Sequence, residues 1–174
     1  MIRIAITGPE STGKSSLSEQ LADHYQTGWV KEYARDYLEK TNGEYGYSDL
    51  LRIAKGQLHE EKEAGNDRLI LLICDTDFIV LKIWSEVRFG KVHPWIQHQV
   101  IEHQYDLYLL CDIDLPWEYD PLREHPDKRD FLFQRYLEVL KENNFNFRLV
   151  SGTGDTRLRN AISFIDDFLR KKQE

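Results

Sequence analysis

The sequence predicts an α/β domain built on a parallel five-stranded sheet with helices on both faces. Three observations carry that prediction. Short apolar, β-branched runs recur along the chain, and stretches with helical spacing separate them. The first of these runs leads through a glycine-containing loop directly into a helix. Acidic or glycine-rich residues follow each later run, where ligands of open parallel sheets collect, outside the carboxyl ends of the strands. Strands that alternate with helices pair in parallel and bury both faces of the sheet.

The elements follow in order. Ile2-Arg3-Ile4-Ala5-Ile6 reads as a buried strand, and Ser15 to Ala22 reads as a helix with Leu17 and Leu21 on one face. Gly28 to Tyr33 predicts a short second strand that ends in polar residues. Tyr47 to Gly65 has Leu50, Leu51, Ala54 and Leu58 spaced for one helical face. Arg68 to Asp75 is the clearest buried strand, and it is placed beside the first. Residues 95 to 104 predict a helix, and Tyr105 to Cys111 a strand. Phe131 to Asn143 predicts a helix with Phe131, Tyr136, Leu137 and Leu140 facing inward. Phe145 to Val150 is the last strand, and Arg157 to Lys171 the last helix.

The 174 residues suit one domain spanning 1–174. A formal net charge of −7 argues against a nucleic-acid backbone as partner, because such binding is driven by Lys and Arg. Cys74 and Cys111 lie in apolar runs and are expected to be reduced, buried small hydrophobes. No apolar run approaches the roughly 20 residues that span a bilayer, and no signal peptide precedes the first strand. The expected compartment is the cytoplasm. Six scattered histidines lack zinc-ligand spacing.

Gly8-Pro9-Glu10-Ser11-Thr12-Gly13-Lys14-Ser15 is a full match to the phosphate-binding loop pattern. Its glycines permit backbone angles that a Cβ forbids, so successive N–H groups can form an anion nest at a helix N-terminus. Lys14 supplies a mobile charge for the β- and γ-phosphates of ATP, and the Ser15 hydroxyl, with Ser16 beside it, is placed for Mg2+ and phosphate. Asp75-Thr76-Asp77 ends the central strand. Asp75 suits a metal-side carboxylate or a base, and Asp77 is an alternative base and acceptor contact. Glu32-Tyr33-Ala34-Arg35 reads either as a substrate grip or as a surface ion pair of little worth. Residues 117–135 carry Arg123, Lys128, Arg129 and Arg135, and read either as a lid closing over phosphates or as a solvated loop and helix start. Ser151 to Arg157, with Thr156 and Arg157, either wraps an adenine or caps the last helix. Trp29, Trp84, Trp95 and Trp117 are candidates to stack on a ring.

Five motifs in this order resemble a family. They are the phosphate loop, Glu32-Tyr33-Ala34-Arg35, Asp75-Thr76-Asp77-Phe78, Gly90-Lys91-Val92-His93-Pro94 and Trp117-Glu118-Tyr119-Asp120-Pro121-Leu122-Arg123. Over nearly its whole length the chain resembles the ribosylnicotinamide kinase domains of NadR proteins, which are P-loop nucleoside kinase-like NTPases of the AAA type. The resemblance implies a P-loop core with a small lid, and ATP-dependent phosphorylation of the 5′-hydroxyl of nicotinamide riboside to nicotinamide mononucleotide. It supports Asp75 as metal or base carboxylate, puts Glu32 to Arg35 in the nucleoside pocket, and assigns Arg123 and Arg129 to the lid. NadR proteins carry a nucleotidyltransferase domain before the kinase, whereas this chain starts at the kinase strand, so a stand-alone domain without adenylyl transfer or repression is expected. A kinase for another nucleoside or nucleotide, a plain ATPase, and a non-enzymatic ATP- or GTP-dependent binding module are the alternatives. The residues specify neither ATP over GTP nor an assembly state.

Overall fold

The structure is a computed structural model that describes residues 1–65 and 69–172. In chain order the elements are β1 (Ile2–Thr7), α1 (Lys14–Tyr25), β2 (Gly28–Val30), α2 (Tyr33–Lys40), α3 (Tyr47–Ala64) and β3 (Leu71–Asp75). They continue with α4 (Phe78–Phe89), α5 (Pro94–Glu102), β4 (Leu107–Cys111), α6 (Arg129–Glu142), β5 (Phe147–Val150) and α7 (Gly154–Lys171). The five strands pair in parallel in the order β2-β3-β1-β4-β5. The Asp75 strand therefore lies beside the phosphate-loop strand, as expected. Arg68, the expected start of β3, lies outside the described residues.

Alternation along the strands divides the core in two. On one face Ile4 and Ile6 pack with Leu71, Ile73, Leu107 and Leu109 against α1 and α7. On the other, Ala5, Leu72, Cys74, Tyr108 and Leu110 pack against residues of α2 through α6. Strands buried on both faces read as continuous apolar runs, which is why β3 and β4 were so plain in the sequence. Cys74 and Cys111 are buried and free, and they point to opposite faces.

Two helices were not anticipated. α2 buries only Ala34 and Leu38, so little hydrophobic pattern marks it. α4 is apolar nearly all round, which blurs its period. It is started by Asp77, whose Oδ1 accepts the Val80 N–H at 2.9 Å. Phe131, expected to face inward, is 55% exposed, and Leu132 and Phe133 are buried in its place. α6 begins at Arg129, so the last third of the expected lid is helix.

A polar cluster ties the foot of the sheet. Glu61 of α3 is 3% exposed, and its carboxylate accepts from the Tyr105 hydroxyl at 2.6 Å and pairs with His103 at 2.7 Å. Arg3 reaches the same imidazole. Removing one member of such a cluster strands its partners away from water. Glu61→Ala is expected to lower the free energy of unfolding by about 2–4 kcal/mol, at ~1–3 kcal/mol for each stranded group, in a denaturant titration.

Candidate active site

β1 delivers the chain to the phosphate loop at the carboxyl end of the sheet. Gly8 has φ +133°, and a Cβ there would lie 3.0 Å from the Cys111 carbonyl oxygen. Gly13, at φ +75°, turns the chain into α1, whose first turn has no side-chain cap. Its leading N–H groups therefore remain available to an anion, and the helix dipole favours one there. The Lys14 ammonium bends back to donate to the Pro9 carbonyl at 2.9 Å, and the Thr12 hydroxyl donates to the same oxygen at 2.8 Å. Both bonds hold the loop in its ring.

Arginines support that ring from outside. Arg157 is 5% exposed and donates to the Thr12 carbonyl and the Asp112 carbonyl, each at 2.9 Å. It also bonds the Gly152 carbonyl at 2.8 Å and pairs with Asp114 at 2.7 Å. Arg129 donates to Leu115 and Ser11 carbonyls at 2.9 and 3.2 Å. Both were expected at the ligand; both guanidinium groups bond backbone carbonyls of the loop, and Arg157 also borders one of the cavities beside it. Thr156 is exposed and lines neither cavity beside the loop. Arg123 does reach the opening and lines both cavities, with the Ser11 hydroxyl 3.3 Å away.

The acidic residues separate into distinct environments. Asp75 is 1% exposed, and its Oδ1 has no hydrogen-bond partner. Burial and the neighbouring Glu32 carboxylate push its carboxyl up to about 6, against the pull of the Ser15 hydroxyl and Lys14. A buried orphan oxygen beside Ser15 and Lys14 is a fitting donor for a cation. Asp77 is fully buried; its Oδ1 starts α4, and its Oδ2 has no hydrogen-bond partner. Glu32 stands at the start of α2, makes no side-chain cap, and lines the cavity between α2, α4 and α6. Arg35 lines it too and pairs with Asp120 at 2.9 Å. Tyr33 does not; its ring packs on Gly56 of α3.

The phosphate loop separates two cavities. One, of about 320 Å³, is bounded by Gly13, Ser16, Gln20, Pro116, Gly154 and Arg157. The other, of about 290 Å³, runs from the loop between α2, α4 and α6. Its far wall is Leu38, Val80, Ile83, Trp84, Val87, Leu132 and Tyr136, and residues 122–125 cover it. This apolar wall was missed in the sequence. Its signal was there: Val80, Ile83, Trp84 and Val87 follow helical spacing of one face. Of the four tryptophans, only Trp84 lines this cavity. Trp29 packs on the opposite face of the sheet, under Lys31.

This fold and this loop define a phosphate-loop nucleotide-binding domain. Residues 3–157 match the AAA domain family, and the chain belongs to it. It is 30% identical over 178 residues to the trifunctional NAD biosynthesis/regulator protein NadR of Escherichia coli K12, covering 98% of this chain and 43% of that protein. Identity to the NadR protein of Salmonella typhimurium LT2 is 35% over 150 residues, covering 83% and 37%. The chain thus spans about two-fifths of the length of these relatives. A NadR protein solved in complex with NR superposes with a TM-score of 0.83 at 22% identity, over 96% of this chain and 50% of that one. Thymidylate kinase from Ehrlichia chaffeensis superposes at 0.71 with 16% identity, over 95% and 98%. Among the described residues no helix is long and apolar enough to cross a membrane.

Two expectations follow from the loop supports. Arg157→Ala is expected to cost about 2–4 kcal/mol of stability, since several buried acceptors lose a charged donor, and Arg157→Lys is expected to recover little because one ammonium cannot replace the fork. Denaturant titration of both variants checks this. Partial burial raises the Asp114 carboxyl, but the Gly152 N–H and Arg157 outweigh it and hold the group below its usual range. A depressed folded value gives stability that is present above about pH 4 and lost as pH falls further. Asp114→Asn is therefore expected to flatten the acid limb of a stability–pH curve.

Proposed function

We propose that this domain transfers the γ-phosphoryl group of ATP to the 5′-hydroxyl of nicotinamide riboside, giving nicotinamide mononucleotide for NAD salvage in the cytoplasm. The observation that carries the reading is the pair of cavities meeting at one phosphate loop. The one bounded by Gly13, Pro116 and Gly154 suits a donor base. The one backed by Trp84 and Tyr136 suits a flat acceptor ring whose ribose points at Lys14. The identity to NadR proteins supports the riboside as acceptor, and so do the NadR structures bearing NR, or NAD and AMP-PNP.

Each residue then has a task. The amides of Gly13, Lys14, Ser15 and Ser16, in a loop that also includes Pro9, Ser11 and Thr12, hold the phosphates of ATP. Lys14 leaves the Pro9 carbonyl for the β- and γ-oxygens. Ser15 and Asp75 would hold Mg2+, which supplies charge neutralisation on the phosphates when bound. Arg123, at the mouth shared by both cavities, stabilises charge on the transferred group. Glu32 takes the proton from the acceptor hydroxyl. It lines the cavity and neighbours Asp75, which is committed to the metal side, while Asp77 is fully buried at the start of α4. Arg35 and Asp120 fix the rim. Most of the rate gain comes from positioning and electrostatics.

The test is mass spectrometry of products after incubation with Mg-ATP and nicotinamide riboside, beside a panel of other nucleosides and a control without acceptor. The mononucleotide is the expected product. ADP without it would overturn the acceptor, and no ADP would overturn catalysis. Lys14→Ala is expected to lower kcat at least about 10²-fold, as for other lost transition-state donors. Glu32→Gln is expected to lower kcat about 10²–10⁴-fold with little change in KM for ATP.

A further inference from the structure

Tyr45 stands between α2 and α3 and lines neither cavity. Its hydroxyl nevertheless joins two working parts. It accepts from Trp84 Nε1 at 2.9 Å and lies 2.8 Å from both oxygens of Glu124, to which it donates. One phenol proton and one lone pair are both used, so the bridge is complete in each direction. Burial pushes this hydroxyl up to about 12, with Trp84 opposing and Glu124 adding to the rise, so it remains a donor at neutral pH. The ring stands edge-on to Trp84 at 4.9 Å and to Phe89 at 6.0 Å, which fixes its place.

The path continues beyond Glu124. The backbone N–H groups of Glu124 and His125 donate to the Glu10 carboxylate at 3.2 and 3.1 Å. Glu10 belongs to the phosphate loop, where an acid would repel the phosphates if it turned inward. Here its carboxylate lines the cavity and is engaged by the N–H groups of the cover. Ser11, its neighbour, accepts from the Glu118 N–H at 2.8 Å. A contiguous route therefore runs from the ring wall at Trp84 through Tyr45 and Glu124 to the phosphate loop.

We infer that Tyr45 is a positioning residue that couples a ring seated against Trp84 to closure of residues 118–125 over the phosphate loop, and so restrains phosphoryl transfer to water when the acceptor is absent. In that side reaction water forms the new bond to the γ-phosphorus as the bond to the ADP oxygen breaks, giving ADP and inorganic phosphate. The inference rests on the riboside kinase reading. A closed cover excludes water and completes the site only when its contacts are made.

The experiment measures phosphorylated riboside and ADP together for wild type, Tyr45→Phe, Glu124→Gln and the double variant. Tyr45→Phe keeps the ring and loses the bridge. The expected result is a rise in KM for the riboside of about tenfold, the worth of one hydrogen bond to a charged group, with KM for ATP nearly unchanged. The ratio of product to ADP falls below that of wild type. Glu124→Gln shifts the same two quantities, and the double variant adds little, because both substitutions break one bridge. An unchanged ratio and riboside KM in Tyr45→Phe would overturn the inference. So would a loss of kcat alone that tracks a lower melting temperature, the mark of a merely structural clip. Wild-type protein that phosphorylates no riboside would sink the kinase reading itself, a result visible before any variant is made.

Discussion

The site depends on a backbone ring that cannot hold itself. The phosphate loop must keep its N–H groups aimed inward, so its carbonyls point outward and need donors. Arg157 from α7 and Arg129 from α6 supply them at Thr12 and Ser11. An arginine fork can serve several carbonyls from one fixed plane, and it remains charged when buried. α7 and α6 lie on opposite faces of the sheet, so the loop is gripped from both layers. Chemistry at the loop is thereby tied to the packing of the whole domain.

Charge is divided along the same lines. The chain is acidic overall at −7, yet Lys14, Arg35 and Arg123 converge on one cavity. Most of the basic groups near the loop are engaged with backbone or carboxylate, which fixes their position before a ligand arrives. Among the acids near them, Asp75 keeps one oxygen unengaged. Its unpartnered, buried oxygen is costly in an apolar setting and becomes favourable once a cation lies beside it. A site with that imbalance is prepared for a metal-bound polyphosphate.

Much of this was legible in the residues. The phosphate loop, the five strands and the neighbouring positions of β1 and β3 follow from glycine spacing and from continuous apolar runs. Asp75, Glu32 and Arg35 were singled out because they follow strand ends, where the topology gathers ligands, and Arg123 because a lid over phosphates needs cations. The failures have physical causes. The capping duty of Asp77 was not seen, because a helix-starting carboxylate and a base have the same residue type and α4 went unrecognised. Tyr33 stands beside site residues in sequence, but the turn of a helix points it at α3. The acceptor wall on α4 was lost with its helix, since residues apolar on nearly every side show little period. Trp29 was misleading because strand alternation sends it to the other face.

The measurement that bears most directly on this account is a crystal structure with nicotinamide riboside and a non-hydrolysable ATP analogue bound together. The account predicts the nicotinamide ring against Trp84 and Tyr136, the 5′-hydroxyl between Glu32 and the γ-phosphate, and the adenine in the cavity bounded by Pro116 and Gly154. A riboside lying in that second cavity, or a ring resting away from α4 and α6, would contradict it.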